Sequence, residues 1–188
     1  MRCCTASPAC SDCSTWSAGG DPSASGLGDR FTCDDVRGPL PEVEYQAIFQ
    51  RVPRLTVEVV ICSALGVLLA RRIEGPCKGL WNLPGGTVRF AEPATDAVHR
   101  VALDEIGADV TIDGFLGYIE YPSHTRDGLG WPVGLAFRTR LACPAALAIS
   151  PDRLDWFCRL PEEMHDEQRV FLRAHGLADC GSEIIISR

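Results

Sequence analysis

The stretch from Gly86 to Ala108 constrains the fold more than any other part of this chain. From Pro93 onward Ala94, Ala97, Val98, Val101, Ala102 and Leu103 recur at helical spacing, with Pro93 near the first turn and Gly107 at the end as start and stop signals. A helix with one apolar face has to bury it against something, and the preceding residues supply a sheet. Leu55 to Cys62 is β-branched and alternating, Ser63 to Gly66 reads as a connection, and Val67 to Arg72 reads as the returning strand of a hairpin. A loop bearing Gly75, Pro76 and Gly79 leads into an ordered turn at Trp81 to Gly86. Further strands are expected at Val110 to Tyr121, Trp131 to Leu141 and around Leu154 to Cys158, with a helix from Pro161 to about His175. Val43 to Val52 fits either a short strand or a turn of helix, and Ile184 to Ile186 either a small strand or a tail. The order β, β, helix, β, β, β, helix predicts an α/β class, a mixed sheet with helices packed on it.

The 188 residues suffice for one core with some decoration. Residues 1–40 hold only Leu27, Phe31, Val36 and Leu40 from the large aliphatics and Phe, too little apolar surface to offset chain entropy. They are expected to form a disordered tail, followed by a domain over residues 41–176 and a C-terminal tail over 177–188. Five of the ten cysteines lie in the first 33 residues. Cys10 and Cys13, with Cys3, Cys4 and Cys33, could offer thiolates to zinc, but no second paired CxxC follows and residues 1–40 contain no His. No apolar run of signal-peptide type follows Met1, so a cytoplasmic location is expected, with reduced thiols and the scattered Cys62, Cys77, Cys143, Cys158 and Cys180 acting as small core hydrophobes. A net charge of −7 without any Lys/Arg cluster excludes a nucleic-acid backbone as main partner. The most apolar stretch, Leu55 to Ala70, is broken by Glu58, Ser63 and Gly66, so no membrane span is expected.

The chemistry sits at the end of the expected helix. Residues three and four apart share a helix face, so Val101, Asp104 and Glu105 lie together and project two adjacent carboxylates. Oxygen donors of this kind bind hard divalent cations; Mg²⁺ commonly takes one or two carboxylates plus waters and substrate phosphates.

The spacing Gly86-x5-Glu92-x7-Arg100-x-x-x-Asp104-Glu105-x-Gly107-Ala108, led in by Leu83-Pro84-Gly85, resembles the Nudix box. Gly86, Glu92, Arg100, Glu105 and Gly107 match outright, Asp104 replaces Glu, and Ala102 and Ala108 fill apolar positions. The resemblance covers roughly residues 42–175 and implies a Nudix-type α/β/α sandwich. It implies Mg²⁺ (or Mn²⁺) held by the Gly85 carbonyl, Asp104 and Glu105. Arg100 and Glu92 would order the site, and Arg71 or Arg72 would bind the diphosphate. Arg71 and Arg72 are adjacent in an expected strand, so one of them points at the site, with Arg72 favoured.

Val101 departs from the pattern, which has Glu there as metal ligand or base. An apolar residue at this position resembles the GDP-mannose mannosyl hydrolase branch, whose members release GDP and free sugar by attack at the anomeric carbon. That branch implies a catalytic His in the loop before the last strand, but Ala148 to Asp152 contains none. His124, in the Tyr121 to Asp127 loop, is a candidate for substrate or base work. Glu120, at a strand end, is a candidate ligand or base, while His165 and His99 read as solvent-facing helix residues. The expected activity is hydrolysis of a small nucleotide-linked substrate, an NDP-sugar first. The alternatives are a pyrophosphatase of ADP-ribose-like or nucleotide substrates and a catalytically weak nucleotide-binding domain. The family is often dimeric, so the resemblance leaves a homodimer open, although no surface in the sequence announces an interface.

Overall fold

A computed structural model describes residues 40–75, 77–144 and 147–177. Apart from Leu40, the expected N-terminal tail lies outside the described residues, as do Cys180 and Ile184 to Ile186. The described chain forms α1 (Glu42–Phe49), β1 (Arg54–Ser63), β2 (Gly66–Arg71), β3 (Trp81–Asn82), β4 (Gly85–Thr87), α2 (Ala94–Ile106), β5 (Val110–Glu120), α3 (Pro122–Arg126), β6 (Pro132–Leu141), β7 (Leu154–Phe157) and α4 (Asp166–Ala174).

The sheet is mixed, as the alternation predicts, and its central strand is β1. One edge of β1 runs parallel to β6 from Arg54 beside Pro132 to Ile61 beside Thr139, and β5 continues antiparallel beyond β6. The other edge of β1 is shared. Thr56 to Glu58 pair with β4, whereas Cys62 and Ser63 pair with β2 across the hairpin. Between the two, Val59 N–H donates to the Pro84 carbonyl at 2.8 Å. β2 then carries β3 and β7, both antiparallel. This fork in the sheet opens the space in which the site lies.

Period-two alternation sends successive β1 side chains to opposite faces, and each face has its own core. Val57, Val59 and Ile61 pack with Ala97, Val98, Val101, Ala102 and Ile106 of α2. Val60 packs instead with Leu69, Ile119, Ala136 and Leu172, the last from α4. Both faces are therefore covered, the expected α/β/α layering. Burying each such aliphatic side chain contributes roughly 1.5–3 kcal/mol. α2 ends at Gly107, whose φ of 67° takes the left-handed cap conformation that glycine adopts without a Cβ penalty.

Several expectations need correction. Leu103 is 54% exposed and sits outside the apolar face of α2. The last helix starts at Asp166, not Pro161, because the preceding residues run extended against β3: Trp81 N–H donates to Glu163 O, and His165 N–H to Trp81 O. Of the two readings open for Val43 to Val52 the helical one holds, as α1, and the Tyr121 to Asp127 loop contains α3. Of the scattered cysteines among the described residues, Cys143 and Cys158 lie just beyond strand ends and are exposed, and Cys62 and Cys77 are half-buried; none of these four is a fully buried hydrophobe.

Candidate active site

Arg100 anchors the turn that leads into α2. Its Nε donates to Glu92 Oε1 at 2.6 Å and its terminal nitrogen to Glu92 Oε2 at 2.8 Å, while the same nitrogen reaches the Thr87 carbonyl at 3.0 Å. Glu92 Oε2 also accepts from the Arg89 amide at 2.8 Å. These bonds hold Glu92 below the usual carboxylate range, chiefly through Arg100. The fork geometry makes this a charge-assisted clamp of the 87–92 loop onto α2. Gly86 fits where a Cβ would stand 2.8 Å from Val101 Cγ2, and Val101 itself is 2% exposed within the core under that loop. Valine there completes packing and offers no oxygen.

At the C-terminal end of α2, Asp104 and Glu105 face a cavity of about 610 Å³. Gly85 lines the same cavity, and Arg71, Arg72 and Arg153 stand in its wall. Both carboxylates are open to solvent. Surrounding protein pushes the Glu105 carboxyl up, Asp104 adds to this, and Arg72 opposes it. Two adjacent carboxylates that repel each other form a hard-oxygen donor set suited to Mg²⁺ or Mn²⁺, in a cavity that Gly85 also lines. Arg71 Nε donates to the Gly79 carbonyl at 3.1 Å, and its guanidinium lies over the Trp81 ring. Arg72 lines both this cavity and its neighbour.

The neighbouring cavity, about 240 Å³, shares Arg72, Asn82, Leu83 and Gly85 with the first. Its wall includes Glu58, 5% exposed, which sits on the α4 face of β1. Burial pushes this carboxyl up from 4.5 to about 7, against hydrogen bonding from Tyr121 and Thr56 and the charges of Arg54 and Arg72. Room for it exists because its neighbours lack side chains: a Cβ on Gly85 would lie 2.5 Å from Glu58 Oε2, and one on Gly134 2.6 Å from Oε1. Gln168 of α4 joins the pieces. Its Nε2 donates to Glu58 Oε2 at 3.2 Å and to the Tyr121 hydroxyl at 3.0 Å, and its Oε1 accepts from the Leu83 amide at 2.8 Å.

His124 and His165 also line this second cavity. Burial, reinforced by His165, lowers His124 to about 4, and burial likewise lowers His165. His165 is 5% exposed, not a solvent-facing helix residue, because it belongs to the extended segment docked on β3. His99 does face solvent and pairs with Asp109 at 2.7 Å.

The fold thus brings Gly85, Asp104, Glu105, Arg71 and Arg72 to one cavity and His124 to the next. Glu120 does not join them: it is exposed at the end of β5, beside Val133, and lines neither cavity. Glu58, Arg153 and Gln168 were not singled out by sequence. Glu58 carried a signal, a lone carboxylate inside the β-branched run Leu55 to Cys62.

A NUDIX domain match spans residues 52–140. The low-salt glycan biosynthesis protein Agl8 of Haloferax volcanii is 36% identical over 142 residues, 76% of this chain and 85% of that protein. An ADP-ribose pyrophosphatase of Methanocaldococcus jannaschii is 33% identical over 85 residues, 45% of this chain and 49% of that enzyme. Among solved structures, a MutT NUDIX hydrolase from Burkholderia pseudomallei superposes with a TM-score of 0.57 at 25% identity, covering 65% of this chain and 98% of that one.

Proposed function

The chain belongs to the Nudix hydrolase family, and on that premise we propose that it is a divalent-metal-dependent hydrolase of nucleoside diphosphates joined to a sugar, with GDP-mannose-like substrates first. The observation that carries this reading is the 610 Å³ cavity, whose lining holds Asp104 and Glu105 together with Arg71, Arg72 and Arg153. A diphosphate needs cations, and this cavity offers guanidinium groups together with a hard-oxygen donor set. Asp104, Glu105 and the Gly85 carbonyl are the groups that would hold Mg²⁺ or Mn²⁺. When bound, such an ion neutralises diphosphate charge and orients water for attack.

Arg72 binds the diphosphate where the two cavities join, and Arg100 positions α2 through Glu92 without touching substrate. The sugar extends toward the second cavity, whose lining includes Glu58, a carboxylate able to replace the box acid lost at Val101. Water attacks the anomeric carbon, the carbon–oxygen bond to the diphosphate breaks, and NDP leaves with the bonding pair; the water's proton passes to a carboxylate. The likeness to a protein named for glycan biosynthesis supports a sugar-bearing substrate. A second reading, attack at phosphorus to give NMP and sugar phosphate, draws support from the ADP-ribose pyrophosphatase relative.

The double variant Asp104→Asn, Glu105→Gln tests the metal assignment. Both residues are exposed, so circular dichroism should be unchanged, while Mn²⁺ affinity by water-proton relaxation and turnover should each fall about 100-fold or more. Unchanged Mn²⁺ affinity would overturn the assignment.

A further inference from the structure

Two histidines of the second cavity belong to a cluster that the proposed hydrolysis does not use. Cys77 comes from the connection between β2 and β3, His124 from α3, and His165 from the residue just before α4. Three separate segments therefore deliver one thiol and two imidazoles to a single point. His124 Nε2 lies 3.0 Å from His165 Nε2 and 3.8 Å from Cys77 Sγ. One donor atom from each of the three residues falls within 4.8 Å of the others.

The two shorter separations, 3.0 and 3.8 Å, lie near the edges of a coordination tetrahedron. With Zn–N of ~2.0–2.1 Å and Zn–S of ~2.3 Å, tetrahedral angles place two nitrogens about 3.3 Å apart and sulfur about 3.6 Å from nitrogen. The surroundings are also those of a metal site. Glu167 Oε2 lies 3.1 Å from His165 Nδ1, within charge contact although not aligned as a hydrogen bond. The other oxygen of Glu167 accepts from the Ser123 amide at 3.0 Å, next to His124. One carboxylate thus braces both histidine-bearing segments, the outer support that metal-bound imidazoles commonly have. Tyr121 packs against both rings, at 5.3 Å from His124 and 5.2 Å from His165.

We propose that Cys77, His124 and His165 form a second metal site, selective for zinc-type borderline ions and separate from the oxygen-donor site on α2. Thiolate and imidazole donors favour Zn²⁺ or Co²⁺ over Mg²⁺. Three protein ligands leave a fourth position, and because both histidines line the 240 Å³ cavity, that position opens to it and takes water or a ligand oxygen. His124 is then a metal ligand in place of the proton-transfer role expected from sequence.

The test uses the full chain, stripped of metal and titrated with Co²⁺ and Zn²⁺. One equivalent of Co²⁺ should give thiolate-to-metal charge transfer together with tetrahedral ligand-field bands. Cys77→Ser and His165→Gln should each weaken Zn²⁺ binding about 100-fold or more. Two controls should retain the site: Asp104→Asn with Glu105→Gln, and a variant with Cys3, Cys4, Cys10, Cys13 and Cys33 all changed to Ser. Should the ligand variants fold poorly, alkylation of the unaltered protein read by mass spectrometry gives an independent measure. Zn²⁺ should shield Cys77 while leaving the exposed Cys143 and Cys158 reactive. A cobalt spectrum without thiolate character, or a Cys77 equally reactive with and without Zn²⁺, would overturn the proposal. Both readouts are independent of Mg²⁺-dependent turnover, so this site and the hydrolase reading stand or fall separately.

Discussion

Glu58 shows how a single residue can be visible in a sequence and still be misread. It stands out in Leu55 to Cys62 as an interruption, which argues only against a membrane span. Its meaning depends on Gly85 and Gly134, which come from other strands and leave it space. Cross-strand placement is set by register, so no local pattern announces it. The raised carboxyl has a consequence for stability. Between 4.5 and about 7 the folded chain binds more protons here than the unfolded chain, so this contribution is full below about 4.5 and lost as pH rises through about 7. Glu58→Gln removes it: in the metal-free protein, denaturant titrations should show the variant gaining on the parent by on the order of 3 kcal/mol from the acid to the alkaline side of that window. A difference independent of pH would mean that Glu58 ionises normally. The histidines teach the converse. His165 reads as exposed because Asp166 and Glu167 follow it, yet the residues before it are docked on β3 and bury it.

At the scale of elements, the strongest periodicities were readable. The β1–β2 hairpin, α2 with its Gly107 cap, β5 and β6 all appear within a residue or two of where alternation and helical spacing put them. The short pieces were not, because β3, β4 and the extended stretch before α4 exist through pairing with distant residues and not through their own composition. Gly66 tests how much that distant pairing matters. Its φ of 114° is one that side chains rarely adopt, and a Cβ there would overlap the Phe157 carbonyl of β7. Gly66→Ala should cost about 3 kcal/mol or more, lowering Tm by about 6–12 °C in a thermal melt. A Tm within a degree or so of the parent would show that β7 is not held tightly against the hairpin.

Over the whole molecule, helical spacing made the paired carboxylates at the end of α2 legible, whereas the Nudix-type layering was expected only from the resemblance that the 23-residue pattern carries. What could not be read is the fork along β1, where β4 and β2 part and two adjoining cavities open. The carboxylates of α2 share one cavity with Arg72, and Glu58 and the histidines line the next. Among the described residues no helix is long and apolar enough to cross a membrane. The most direct measurement is phosphorus NMR of GDP-mannose, other NDP-hexoses, ADP-ribose and nucleoside triphosphates, incubated with the protein and Mg²⁺ in oxygen-18 water, with mass analysis of the products. The account predicts metal-dependent consumption of an NDP-hexose, with the label in the free sugar and none in the NDP. Label in a phosphate product would replace attack at carbon by attack at phosphorus, and a panel left intact with Mg²⁺ and Mn²⁺ alike would contradict the hydrolase reading itself.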